Sequence, residues 1–266
     1  MPSAGRLQYL EALPPPDARP RGTLLLLHAF PLSARMWEPQ LTLASGGWRI
    51  LAPHFRGFAG TAAEPPAKTI DDFVGDVVDF LDALHIEDAV VGGLSMGGYV
   101  ALAMFRRAPT YFRGLVLADT RSQADTPQGL EGRRKMLEVV AERGPAAVAD
   151  DMTPKLLGAT TQRTQPELAA RVRDLILANS AESIAGAVRV MMSRTDSTDL
   201  LPTMRMPVLI VVGEEDGLTP PTNSEEMHAS IPGSKLVKIP AAGHLSSLEQ
   251  PLEFNTALAH FLTHQV

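Results

Sequence analysis

The stretch AVVGGLSMGGYVALAMFRR, residues 89–107, decides how the rest of the chain is read. Its first part is a short apolar run rich in valine, its second carries helical periodicity, and Ser95 stands between two glycines where one becomes the other. The match of Gly93 to Gly97 with G-x-S-x-G says little alone in a chain with 21 glycines. The strand before it and the helix after it give it weight, because a sharp strand-to-helix turn holds a serine outward. Gly93 and Gly97 leave space where side chains would collide. The helix N-terminus aims unsatisfied N–H groups, and the positive end of its dipole, at negative charge forming nearby.

Working outward, similar apolar runs recur at 23–28, 49–53, 113–118, 208–213 and 235–239, separated by amphipathic stretches. That alternation predicts an α/β fold with a mostly parallel central sheet flanked by helices. Residues 69–84 put Ile70, Phe73, Val77, Phe80, Leu81 and Leu84 on one helical face and a row of aspartates on the other. Right-handed crossovers then gather the loops after the strands on one edge, where ligands bind in open sheets. The rhythm stops after Thr120. From 121 to 205 only helical patterns remain, at 128–143, 166–178 and 181–193, with Pro166 in a first turn and Asn179 three residues before Glu182 as a capping box. The chain is therefore divided into a core, 1–120 and 206–266, and a helical cap, 121–205, inserted between two strands. Met136, Met152, Met191 and Met192 either line a ligand pocket under this cap or pack its interior.

A serine hydroxyl needs a base, and the base needs a group that fixes its tautomer. His244 follows the run KLVKI in a loop before the last helix, and is the expected base. The acid is expected in the loop after VLIVVG, where Asp216 is preferred over its neighbours Glu214 and Glu215. Asp119, ending an earlier strand, is the main rival. The two N–H donors for an oxyanion are expected at Met96, next to the serine, and at Phe30, since Pro31 has no N–H. The Phe30 ring is placed to wall an acyl pocket. His28 is read as a loop stabiliser, and His85, His228, His260 and His264 as ordinary surface or hydrogen-bonded residues.

Composition narrows the alternatives. A chain of 266 residues, 45% hydrophobic and 20% charged, can bury a large core, and its formal charge of −6 lacks the basic footprint of a nucleic-acid binder. The absence of cysteine removes disulfides, thiolate metal sites and a thiol nucleophile. With no signal-like or membrane-spanning stretch, the expectation is a cytoplasmic protein without a membrane partner. The 121–205 segment holds 12 basic and 11 acidic residues, a net +1 against −7 elsewhere.

Assembled, these residues resemble the α/β-hydrolase superfamily, and within it the carboxylesterase, cofactor-free haloperoxidase and 3-oxoadipate enol-lactonase group. The likeness rests on HAFP at 28–31, GLSMGG at 93–98, LADT at 117–120, GEEDGLTP at 213–220 and AAGHLSSLEQP at 241–251, and spans nearly the whole chain. The loop at 54–61 departs from the family's D-x-R-G-x-G-x-S: His54 stands for the aspartate and Ala59 for a glycine. The resemblance implies Ser95, His244 and Asp216 as a catalytic triad, no metal or organic cofactor, and a small ester or lactone as substrate. It leaves open perhydrolysis with peroxide, a ligand receptor that kept the triad, and assembly as a homo-oligomer. Haloalkane dehalogenation would need an aspartate where Ser95 stands.

Overall fold

A computed structural model describes residues 1–266. Eight strands form one sheet in the order β1-β2-β4-β3-β5-β6-β7-β8. They span Ser3–Ala4 (β1), Leu7–Ala12 (β2), Gly22–Leu27 (β3), Trp48–Pro53 (β4), Ala89–Leu94 (β5), Phe112–Ala118 (β6), Val208–Gly213 (β7) and Lys235–Ile239 (β8). From β4 to β8 every neighbouring pair is parallel, while β2 runs antiparallel to β4. Strands β5 and β7 are buried at every residue, as parallel strands covered on both faces must be.

Register explains why distant residues meet. Leu27 pairs with Gly93, Leu94 with Ala118, Ala118 with Val211 and Gly213 with Ile239. The carboxyl ends of five strands are therefore level, and the loops opening at His28, Ser95, Asp119, Glu214 and Pro240 leave from one edge.

The helices are α1 (Ile70–Ala83), α2 (Met96–Arg107), α3 (Pro127–Leu156), α4 (Ala159–Thr164), α5 (Pro166–Leu177), α6 (Ala181–Met192), α7 (Pro221–Ser230), α8 (Ser246–Glu249) and α9 (Pro251–His264). Thr69 and Asp72 form a capping box at the start of α1. Its aspartates do not all face solvent, as the helical pattern suggested: Asp76 is buried against Arg56. Helices α3 to α6 fill the chain between β6 and β7. One contiguous apolar core joins sheet residues to Val148, Ile176 and Val188 of these helices. Each such fully buried side chain contributes about 1.5–3 kcal/mol, so the segment is packed onto the sheet rather than loosely tethered. No single helix is long and apolar enough to cross a membrane.

Two local expectations change, and one element lies outside the apolar runs. The first twelve residues form a hairpin that buries Leu7 and Tyr9, the latter edge-on to Phe80. The helix expected at 128–143 does break there, at Gly144 with φ +72 before Pro145, but a second segment continues to Leu156. The cap of α6 is Ser180, which accepts from Ser183 N–H; Asn179 is not the capping residue.

Candidate active site

Ser95 closes β5 and opens α2 at φ +53, ψ −113, a conformation costing on the order of 1–3 kcal/mol that the surroundings must hold. They do so by leaving no room for anything else. A Cβ on Gly93 would collide with the Gly97 carbonyl, one on Gly97 with the Leu27 carbonyl, and one on Gly98 with the Thr120 side chain. Thr120 in turn donates its hydroxyl to the Ser95 carbonyl at 2.9 Å.

His244 is buried in the loop after β8, and its Nδ1 donates to Asp216 Oδ2 at 2.8 Å. This leaves Nε2 as the nitrogen available for a reacting group, and His244 and Ser95 line one cavity. Asp216 Oδ1 accepts from the N–H groups of Leu218 (2.8 Å) and Thr219 (3.0 Å), and Oδ2 accepts from the Thr219 hydroxyl (2.7 Å) as well as from His244. Burial pushes the Asp216 carboxyl up, but His244 and these donors outweigh it and hold it below the ordinary carboxylate range.

The competing acids have other partners. Asp119 accepts from Gly213 N–H (2.8 Å) and from the Ser246 hydroxyl (2.5 Å), and burial together with the nearby Asp216 charge raises its carboxyl well above the usual range. Glu215 accepts from the N–H (2.8 Å) and hydroxyl (2.5 Å) of Thr160, and Glu214 is exposed. Asp119 joins the loops after β6, β7 and β8; Glu215 ties the acid-bearing loop to α4.

A residue the sequence reading passed over does similar work for the histidine. Glu249 is buried, and it accepts from Gly243 N–H (2.9 Å), Leu245 N–H (3.1 Å) and Gly158 N–H (2.8 Å). It thus clasps the backbone on both sides of His244 and binds it to the turn before α4. Asn179, expected as a helix cap, instead ties two loops together: its Nδ2 donates to the Pro31 (2.9 Å) and Leu32 (3.3 Å) carbonyls, and its Oδ1 accepts from Ala59 N–H (3.1 Å). The only sequence signal for Glu249 was an unexplained polar residue beside a site loop.

Phe30 lines the cavity, and its N–H donates to no carbonyl of the protein. The Met96 N–H, first in α2, is equally without a helical acceptor. The Met96 side chain is fully buried in the core. Met136, Met152 and Met191 line the cavity, whereas Met192 packs against the core.

His28 donates from Nδ1 to the Ala29 carbonyl and accepts Phe55 N–H at Nε2, both at 3.0 Å. Burial drives it down to about 3, so it is a neutral brace for the loop that carries Phe30. The variant loop is braced by different chemistry. His54 Nδ1 accepts Ala34 N–H at 3.1 Å, Ala59 adopts φ +48 where the family has glycine, and Arg56 forks onto Asp76 at 2.8 and 2.6 Å.

Burial, aided by Arg35, pushes His54 down to about 4. Since the folded value lies below the unfolded one near 6.5, the unfolded chain binds the extra proton between those limits. The stabilisation is complete above about pH 6.5 and is lost as pH falls toward 4, at up to about 1.4 kcal/mol per pH unit. His54→Gln keeps an acceptor for Ala34 and should make the acid limb shallower, with buried His28 still contributing its own part, measured by urea unfolding near pH 7 and about pH 4.5. An unchanged slope would assign the acid sensitivity elsewhere.

The cavity, of about 470 Å³, is within the range of small-molecule sites. Ser95, Leu218, Thr219 and His244 form its floor, and α3 and α6 supply the opposite wall. A hydroxyl at a strained helix start, a histidine–carboxylate pair and two free N–H groups make an arrangement suited to nucleophilic acyl chemistry.

Known proteins agree with this architecture. 3-Oxoadipate enol-lactonase 1 of Acinetobacter baylyi is 28% identical over 227 residues, 85% of this chain and 83% of its own. Among solved structures, a thermophilic esterase from Thermogutta terrifontis is 36% identical with a TM-score of 0.90, covering 97% of this chain and 93% of the esterase. The enol-lactonase from Burkholderia xenovorans LB400 is 25% identical with a TM-score of 0.87, covering 97% and 96%. The family model for the alpha/beta hydrolase fold matches residues 22–251, and with the sheet order and the serine elbow already described, the chain belongs to the α/β-hydrolase family.

Proposed function

We propose that this protein is a serine hydrolase of small carboxylic esters that works through an acyl-enzyme. The observation that carries the reading is the His244–Asp216 hydrogen bond of 2.8 Å beneath a cavity shared with Ser95. Ser95 Oγ attacks the ester carbonyl carbon while His244 Nε2 takes its proton, and Asp216 stabilises the imidazolium. The N–H groups of Phe30 and Met96 hold the oxyanion. Collapse breaks the ester C–O bond, and His244 returns the proton to the departing alcohol. Water, deprotonated by the same nitrogen, then attacks the acyl carbon and frees the acid and Ser95.

The enol-lactonase relatives support a second substrate form, a lactone, for which the steps are the same and the leaving alcohol stays tethered. Hydrogen peroxide in place of water would release a peracid, a side reaction of the same acyl-enzyme. A panel of aryl esters and lactones tests the reading; one stoichiometric turnover with no second cycle would instead indicate a receptor.

The cap, packed onto the sheet, sets a size limit. Each methylene buried against Phe30, Val139, Leu156 and the methionines adds about 0.8 kcal/mol until the chain meets the far wall, where overpacking costs about 1–3 kcal/mol. For p-nitrophenyl esters, kcat/KM should peak at roughly two to six acyl carbons. Activity still rising at about twelve carbons would contradict an enclosed pocket and imply that the cap opens.

A further inference from the structure

The loop carrying His244 touches the inserted helices backbone to backbone. Gly158, in the turn between α3 and α4, has φ −63 and ψ 155, which any residue adopts, so its missing side chain serves space rather than conformation. A Cβ there would stand 2.7 Å from Gly243 N and 2.6 Å from Glu215 Oε2. A Cβ on Gly243 would in turn strike Gly158 N, and one on Gly213 the Gly243 carbonyl. The end of β7, the His244 loop and the turn before α4 are therefore stacked with no side chain between them.

Two carboxylates fasten this stack. Glu249 accepts Gly158 N–H at 2.8 Å on Oε2, and Gly243 and Leu245 N–H at 2.9 and 3.1 Å on Oε1. Glu215, next to Asp216, accepts the N–H and hydroxyl of Thr160, and its own N–H donates to the Ala242 carbonyl at 2.8 Å. The acid-bearing and base-bearing loops thus share one anchor, residues 158–160.

Glu249 is 2% exposed and lines no part of the cavity, and its bonds go to the backbone on either side of His244 rather than to the ring. What these bonds control is where the ring stands. The 2.8 Å bond from Nδ1 to Asp216 requires the two loops in register, and a displacement of about 1 Å in a catalytic group can cost on the order of a hundredfold in rate.

We propose that Glu249 is a positioning residue for His244 that acts through the cap: it registers the 158–160 turn against both catalytic loops, so that His244 and Asp216 are aligned only while α3 to α6 are seated on the sheet. The effect on rate rests on the hydrolase reading, whereas the effect on the His244–Asp216 bond does not.

The test is Glu249→Gln in the whole chain. Glutamine keeps the shape, but its single amide oxygen cannot serve both sides. Whichever way the amide turns, its NH₂ faces either Gly158 N–H or the N–H groups of Gly243 and Leu245. For p-nitrophenyl butyrate, kcat should fall about a hundredfold with KM within about threefold of the parent. The second readout is proton NMR of protein with nitrogen-labelled histidine and no substrate. The His244 Nδ1 proton, identified by its absence in His244→Ala, should be seen in the parent and lost to fast exchange in Glu249→Gln. Glu214→Gln, which removes the same charge from an exposed side chain of the Asp216 loop, should keep both kcat and the proton.

An unchanged kcat, a change confined to KM, or a lower kcat with the Nδ1 proton intact overturns the proposal even if ester hydrolysis stands. Loss of the proton in a protein that cleaves no ester upholds it and overturns the hydrolase reading instead. Should Glu249→Gln not fold, or the parent show no such proton, native-state hydrogen exchange on the parent decides. The Gly158, Gly243 and Leu245 amides should then open together as one unit, and independent opening overturns the proposal.

Discussion

Asp216→Asn is expected to lower kcat for a good ester substrate by about 10⁴-fold, and Asp119→Asn by about tenfold or less. The larger figure is that of a well-studied triad, and the reason it should transfer is local. Asp216 accepts the His244 Nδ1 proton at 2.8 Å while the Leu218 and Thr219 N–H groups occupy its other oxygen. An asparagine held by those same donors would turn its NH₂ toward His244, force the proton onto Nε2, and so block the nitrogen that must receive the Ser95 proton. Asp119 is in a different position. Its partners are Gly213 N–H and Ser246, and its carboxyl is raised by burial, so an amide can accept from Gly213 and turn its NH₂ to the Ser246 oxygen. The reverse ranking of the two variants would transfer the acid to the end of β6.

Ser95→Ala is expected to reduce kcat by about 10⁶-fold, with thermal and urea midpoints unchanged. The side chain is part of the cavity floor, and alanine removes one oxygen and no buried apolar volume. It also adds no backbone strain, because serine and alanine carry the same Cβ at φ +53. A variant with residual activity within about a hundredfold would mean that another group performs the attack.

The parts of this site that could be read from sequence are those fixed by local chemistry. Six parallel strands announce themselves as apolar runs, and the level carboxyl ends of five of them bring Ser95, His244 and Asp216 to one edge from 28 to 149 residues apart in the chain. The glycines at 93 and 97 were informative for the same reason, since only a missing side chain fits those contacts. What escaped depends on packing between distant segments. Glu249 and Asn179 look like ordinary polar residues until the fold places three backbone N–H groups around one and two site loops around the other. The N-terminal hairpin was obscured by three prolines and scattered charges that follow or flank Leu7 and Tyr9, whose alternation over a few residues is too short a pattern to stand out.

The central claim is that Ser95 is the activated nucleophile, and covalent labelling tests it without knowledge of the natural substrate. An organophosphonate, which mimics the tetrahedral intermediate, is incubated with the folded protein, followed by intact-mass measurement and peptide mapping. The account predicts a single adduct on the peptide containing Ser95, slowed in His244→Ala and absent in Ser95→Ala. An adduct on any other residue, or a folded protein that takes up no label, would contradict it.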